Sequence, residues 1–337
     1  MKTIVCEEPR VLKPINQEKP QLEKGTAIVN IKRIGICGTD LHAFTGNQPF
    51  FNYPRVLGHE LAGVIESIGE NPYGLEQGDQ VSVIPYMECG VCVACKKGLT
   101  NCCTNMKVMG VHFDGGMTEQ ISVPWDHLIK TNALSLDQSA ILEPLSIGAH
   151  AVRRSELRKG DIVLVIGAGP IGLGVMQAAK QQDAKVIAMD MNDERLTFSK
   201  QWANADDTIN VLNEPVEQLM QMTNGDMPSI VFDATGNSKS MMDAFEYPAN
   251  GGKLVFVGLV KSDITFSDPL FHSKELTLMA SRNATKEDFD FVIQAIESGY
   301  IDADRYITHR STFDHLINEF ENWLNPESGV VKAMVEL

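Results

Sequence analysis

The segment "VLVIGAGPIGLG", residues 163–174, constrains the fold more than any other stretch of this chain. An apolar run stops at Gly167, the turn continues through Gly169, Pro170, Ile171 and Gly172, and a helix-length apolar segment follows. A strand that passes through glycines directly into a helix is the repeating unit of wound parallel sheets. The chain keeps that rhythm: "AKVIAMD", "SIVFDATG" and "GKLVFVGL" read as further buried strands, separated by helix-length segments. Residues 146–281 therefore predict an α/β unit with a doubly wound parallel sheet.

The same turn predicts a ligand. Gly167, Gly169 and Gly172 stand where a dinucleotide pyrophosphate would meet a helix N-terminus. The next strand ends at Asp190, whose carboxylate is suited to accept from a ribose 2′-OH and to repel a 2′-phosphate. That chemistry predicts NAD rather than NADP. Arg195 points the other way, because a guanidinium there could receive the phosphate, and it is read as adenine or surface packing. Glycines that serve only close packing are the alternative reading.

Residues 1–145 look different. Short β-rich runs such as "AIVNIKRIGI", "LAGVIESIG" and "DQVSVIPY" alternate with Gly, Pro and Asn turns, predicting a mostly β unit. After Ser281, "KEDFDFVIQAIESG" reads as a helix and "GVVKAMVEL" as a final strand that could close onto the first unit. The expected division is thus residues 1–145 with 282–337, and 146–281 inserted between them.

Five of the seven cysteines crowd into "MECGVCVACKKGLTNCCTN", residues 87–105. A chain of 337 residues buries enough core not to need covalent staples. The opening "MKTIVCEEPRVLK" lacks the long apolar run of a signal peptide, and the run from Ile162 to Met176 is glycine-broken and short for a bilayer. The expectation is a cytoplasmic protein with reduced thiols, where clustered cysteines bind metal. Cys89, Cys92, Cys95 and Cys103 have the spacing C-x2-C-x2-C-x7-C, which suits a tetrahedral structural zinc better than an iron–sulfur cluster or a redox pair. Cys102 leaves the fourth ligand ambiguous. Cys6 reads as a buried apolar side chain.

The remaining cysteine opens a second set. Cys37 in "GICGTDLH", His59 and Glu60 in "VLGHELAG" and Glu143 in "LEPLSIGAHA" offer sulfur, nitrogen and oxygen donors from three separate segments. Mixed donors of this kind suit an open catalytic zinc. Each residue alone has a bland reading, as core cysteine, satisfied histidine or helix-start glutamate.

The order "GICGTDLH", "GHE", four-cysteine lobe, "EPLS" and "GAGPIG" resembles the zinc-dependent medium-chain alcohol and polyol dehydrogenases over essentially the whole chain. The resemblance implies a GroES-like catalytic domain beside a Rossmann NAD-binding domain. It makes Cys37 and His59 ligands of the catalytic zinc, puts Glu143 at the third-ligand position and makes Glu60 an exchangeable ligand. Which of the two glutamates is bound at rest stays open. Asp40 matches a carboxylate that orients His59, and Thr39 and His42 match a proton relay. Thr235, Gly236 and Gly258 would line the nicotinamide side through their backbone, and Ser281 and Arg282 are further cofactor candidates.

The segments "HAFTGNQPFFNYPRVLGHE", "VMGVHFDGG" and "FSDPLFHSKELTLMASRNAT" are similar to the bacterial hexonate 5-dehydrogenases, which oxidise L-gulonate or L-galactonate at C5. L-gulonate, giving D-fructuronate, is the expectation, with L-galactonate, giving D-tagaturonate, as the alternative. The formal charge of −15 excludes nucleic acid as a natural partner and means that a hexonate carboxylate needs local donors. Arg282 and Asn283, with Asn47, Gln48 and His112, are the candidates, and Phe50 and Phe51 could wall the pocket. A sorbitol-type polyol dehydrogenase, an L-threonine dehydrogenase and a non-catalytic NADH-binding scaffold are the rivals. No membrane partner is expected. A dimer or tetramer built through the "KLVFVGL" edge is.

Overall fold

The computed structural model describes residues 1–48 and 51–337. The chain forms two compact units, Met1–Glu143 with Ile293–Leu337, and Pro144–Val292.

The first unit is built around the eleven-residue strand Thr26–Ile36, rich in β-branched residues. It pairs antiparallel with Glu60–Ile68, with Gln120–Pro124 and with the C-terminal strand Lys332–Glu336, so the chain's end is stitched beside its beginning. The full sheet runs Leu128–Lys130, Gln80–Val83, Glu60–Ile68, Thr26–Ile36, Lys332–Glu336, Ile307–Thr312, with Gln120–Pro124 off this path. Val29, Ile34, Leu57, Leu61 and Val81 fill its core, closed by Phe320 and Trp323 of the helix Leu316–Leu324. Cys6 lies fully buried in the same core, and burial pushes its thiol up to about 11. Phe51 packs edge-on against Tyr53 beside that core. Phe50 lies outside the described residues.

Two registers bring distant segments side by side. Gly35 is paired with Glu60, and Ile36 with Ala333. The strand ends that carry Cys37, Glu60 and Lys332 are therefore neighbours in one sheet.

The second unit is a six-stranded parallel sheet in the order Asp207–Asn210, Lys185–Asp190, Ile162–Ile166, Ile230–Asp233, Lys253–Phe256, Thr277–Ala280. In chain order this is 3-2-1-4-5-6, with the reversal between Ile162–Ile166 and Ile230–Asp233, where doubly wound sheets open a crevice. Two of these strands escape sequence reading. Asp207–Asn210 has one apolar residue in four, and Thr277–Ala280 is short and largely exposed. Both are edges. The expectation that "KLVFVGL" forms an edge is therefore wrong: Lys253–Phe256 is interior, flanked on both sides, and Thr277–Ala280 is the outer strand. Thr235 follows the fourth strand of this unit in chain order.

The second segment of the first unit starts at Ile293 rather than at residue 282. Residues 282–292 stay with the second unit because Asp288 is buried there as the acceptor for His150 Nδ1 at 2.9 Å, Arg153 Nε at 2.7 Å and the Thr285 N–H at 2.8 Å. Burial alone would raise the pKa of this carboxyl, but the hydrogen bonds from His150 and Arg153 outweigh it and hold it well below the usual range. Asp288→Asn is expected to cost about 3 kcal/mol, the scale for breaking a buried ion pair. Because the folded carboxyl holds its proton more weakly than the unfolded one, this contribution is full above a pH of about 3.9 and is lost as pH falls below it. Thermal unfolding of both proteins between neutral and acid pH checks this: the gap between them should close in acid.

Candidate metal centre and nucleotide site

The lobe of residues 87–105 brings Cys89, Cys92, Cys95 and Cys103 together, with one sulfur of each within 4.8 Å of the others. Tetrahedral thiolate ligation at about 2.3 Å requires sulfurs about 3.8 Å apart, which this cluster accommodates. Cys103 is buried, and its sulfur accepts from the N–H groups of Cys89 at 3.2 Å and Asn105 at 3.3 Å. Cys102 is exposed and outside the cluster. Backbone N–H donors from Cys95 and Thr104 bring Cys92 down to about 5, while desolvation and its neighbours' sulfurs push Cys95 up to about 12. Four cysteine sulfurs gathered this closely suit a divalent cation such as zinc.

The second cluster contains Cys37, His59 and Glu60, whose donor atoms also lie within 4.8 Å of one another. Cys37 directly precedes the helix Gly38–Phe44, and its N–H donates to Asp40 Oδ2 at 3.0 Å. The other Asp40 oxygen accepts the Gly58 N–H at 3.1 Å and lies 3.6 Å from His59 Nδ1. One buried carboxylate thus ties the cysteine segment to the histidine segment. Burial disfavours a charged His59, but Asp40 and Cys37 override it and hold its pKa well above the ordinary value. A pocket that brings sulfur, imidazole and carboxylate donors within 4.8 Å of one another fits a zinc ion.

Glu143 is not in that cluster. It is buried and takes a hydrogen bond from the Tyr86 hydroxyl. Burial, reinforced by Glu60, pushes its carboxyl up to about 7. Thr39 is half-buried and His42 exposed, three residues apart on one short helix.

Sequence reading missed two of these neighbours. Tyr86 carries no motif. Lys332 is 1% exposed, with its ammonium on both oxygens of Glu60, and its only signal is a lone cation inside the apolar strand "GVVKAMVEL".

In the second unit, the Pro170–Gln181 helix begins immediately after Gly169. Gly167 has φ of +93°, and a Cβ on Gly172 would stand 1.7 Å from the Gly167 carbonyl oxygen, so glycine is required at both positions. Asp190 is buried, accepting from the N–H groups of Ala168 at 2.7 Å and Asn192 at 2.9 Å, which aims its carboxylate beside the glycine turn. Arg195 is exposed in the following helix. The Thr235 hydroxyl and N–H both donate to Asp233, at 2.7 and 2.9 Å, which fixes Thr235 and Gly236 at the strand end. Gly258 packs so close to Gly236 that a Cβ would lie 2.4 Å from its nitrogen. Ser281 Oγ and Asn283 Nδ2 are buried without a hydrogen-bond partner among the described residues, the state expected of groups that wait for a bound molecule. A dinucleotide fits these features.

The carboxylate candidates divide between the units. Asn47 is exposed and donates to Thr45 at 3.2 Å, Gln48 is half-buried, and His112 Nδ1 accepts the Val108 N–H at 3.0 Å within its own turn. These three belong to the first unit, whereas Arg282, which is exposed, and Asn283, at φ of +53°, belong to the second.

Comparison with known proteins gives a consistent picture. Residues 23–133 match the alcohol dehydrogenase GroES-like domain, and residues 170–298 match the zinc-binding dehydrogenase domain. The chain is 42% identical to the L-galactonate-5-dehydrogenase of Escherichia coli (strain K12) over 99% of its own length and 98% of that protein. It is 34% identical to the L-idonate 5-dehydrogenase of Vitis vinifera, over 87% of this chain and 83% of that one. A crystal structure from Escherichia coli CFT073, described as a short chain alcohol dehydrogenase complexed with NADH, superposes with a TM-score of 0.93 at 32% identity, covering 100% of this chain and 99% of that one.

Proposed function

Because this chain belongs to the zinc-binding dehydrogenases with an alcohol dehydrogenase GroES-like domain, we propose that it oxidises the C5 hydroxyl of an L-hexonate with NAD. The observation that carries the reaction is the cluster of half-buried Cys37 with buried His59 and Glu60, in which Asp40 ties the cysteine segment to the histidine segment. The hexonate rests on the relatives named as 5-dehydrogenases of L-galactonate and L-idonate.

Zinc held by Cys37 and His59, with a carboxylate from Glu60 or Glu143, would supply Lewis acidity that lowers an alcohol's pKa toward neutrality. NAD on the glycine turn would supply the hydride acceptor. The chain's own residues do the rest. Asp40, 3.6 Å from His59 Nδ1, is the carboxylate that would orient the ring, and Thr39 takes the hydroxyl proton and passes it toward His42 at the solvent side. Asp190 receives the adenosine ribose, and Ser281 and Asn283 give their unused polar atoms to the bound molecules. Arg282 is the cation for the hexonate carboxylate, against the long-range field of a chain with net charge −15. A guanidinium suits this task because its planar fork can pair both oxygens of a carboxylate.

The preference for L-gulonate has no residue behind it, and the named relative favours L-galactonate. The test is NADH formation by the zinc-loaded protein with L-galactonate, L-gulonate, sorbitol and L-threonine side by side. Turnover of a hexonate well above the other two is expected, and the faster epimer names the substrate. Turnover of sorbitol or threonine alone would overturn it. Arg282→Ala is expected to raise KM for the hexonate about tenfold or more, the scale of a lost charged hydrogen bond. An unchanged KM would remove Arg282 from this role.

A homo-oligomer is part of the same reading. The outer strand Thr277–Ala280 is exposed, with Leu278 at 40%, and an uncovered apolar edge invites pairing with a second copy. Leu278→Lys should lower the mass in solution, which light scattering reads directly.

A further inference from the structure

Lys332 is a buried cation that the reaction as described does not use. Its ammonium donates to Glu60 Oε1 at 2.6 Å, to Glu60 Oε2 at 2.7 Å and to the Ile36 carbonyl at 3.1 Å, so all three of its protons are engaged. Lys332 is 1% and Glu60 0% exposed. The pairing of Ile36 with Ala333 and of Gly35 with Glu60 holds the two side chains at neighbouring strand ends. Gly35 makes the room: a Cβ there would lie 2.1 Å from Glu60 Oε2.

Glu60 therefore sits between the Lys332 ammonium on one side and, on the other, the Cys37 and His59 donors that would hold the metal cation. We infer that Lys332 is a positioning residue that restrains the Glu60 carboxylate, keeping it from closing fully onto the metal and so preserving the open coordination position. The carboxylate shares its charge with the ammonium, which weakens it as a ligand, and the fixed strand register limits how far it can swing. Without Lys332, a buried and unpaired Glu60 has one cation left to neutralise it and binds that cation tightly. This rests on the metal reading of the Cys37 site given above.

The test is the Co(II)-substituted full-length protein, whose visible ligand-field bands report the donor set, together with the rate of zinc loss to a chelator. Lys332→Met should shift the bands assigned to the Cys37 site, slow zinc loss about tenfold and lower kcat more than it changes KM, as expected when an open position is closed. In a Glu60→Gln background the same substitution should leave the bands unmoved, because Lys332 acts through Glu60. Lys332→Arg should restore the original bands in part. Lys332→Gln, which keeps an uncharged donor, is read in the same way if the methionine variant does not fold. Unchanged bands and zinc loss in a folded Lys332 variant, or an equal shift in the Glu60→Gln background, would overturn the inference. If the wild-type protein shows no bands that Cys37→Ser removes, the metal reading itself fails, a result distinguishable from both.

Discussion

Replacing Cys37 by serine is expected to leave one zinc per chain instead of two and to lower alcohol-dependent NADH formation about a thousandfold or more. The magnitude follows from the role of the site: a Lewis acid that brings a hydroxyl toward neutral pKa supplies several kcal/mol of the barrier reduction, and each 1.36 kcal/mol is about tenfold in rate. Serine keeps the size of the side chain but offers a poor ligand in place of a thiolate. Cys37 is half-buried at a helix start, so the fold should tolerate the change, and thermal unfolding should move little. Binding of NADH, which the proposed site assigns to the second unit, should persist. Metal analysis, fluorescence titration of NADH and the rate measured together check the whole set. Retained activity with one zinc would assign the chemistry elsewhere.

Replacing Cys103 by serine should also remove one zinc, but with a different consequence. The lobe has little core of its own: Val91, Val93 and Leu99 are 69%, 66% and 50% exposed, and the helix at Val93–Lys96 has four residues and no buried side chain. What holds residues 87–105 together is the mutual approach of four sulfurs and the N–H donors aimed at them. Zinc–thiolate ligation contributes about 10 kcal/mol in isolated zinc-binding peptides, and its loss here should melt the lobe locally. Limited proteolysis should then cut between Met87 and Met106 in the variant and spare the parent. The unfolding midpoint should fall by about 10 °C, corresponding to about 4 kcal/mol for a unit of this size. Cobalt at the Cys37 site should survive, which separates a structural from a catalytic ion.

The features that were legible in the chain are those whose parts are close in sequence. The four cysteines of the lobe lie between residues 89 and 103, and a tetrahedral ion needs only that a loop fold back on itself. The glycine turn runs from 167 to 172, and its constraints, φ of +93° at Gly167 and the contact of Gly172 with its carbonyl, are local backbone geometry. The long strand Thr26–Ile36 and the helix Lys286–Glu297 announce themselves through composition and periodicity. Short elements did not. Asp207–Asn210 and Thr277–Ala280 are edges, and an edge strand pairs on one side only and so carries a weak apolar pattern.

Asp40 shows the boundary well. Its acidic position in "GICGTDLH" is visible, but its bond to Gly58 is a fact of folding. Lys332 lies beyond that boundary: the residue it grips is 272 positions away, and the registers of the last strand and of Glu60–Ile68 on either side of Thr26–Ile36 bring the two together. The sequence by itself determined the chemistry on offer, with its thiolates, imidazole, carboxylates and glycine turn, because donor type and local spacing are properties of short segments. Tertiary structure alone decided which carboxylate stands with Cys37 and His59, which cation restrains it and which strand forms the edge. Those depend on strand register and burial, where one residue of shift would turn every side chain to the opposite face.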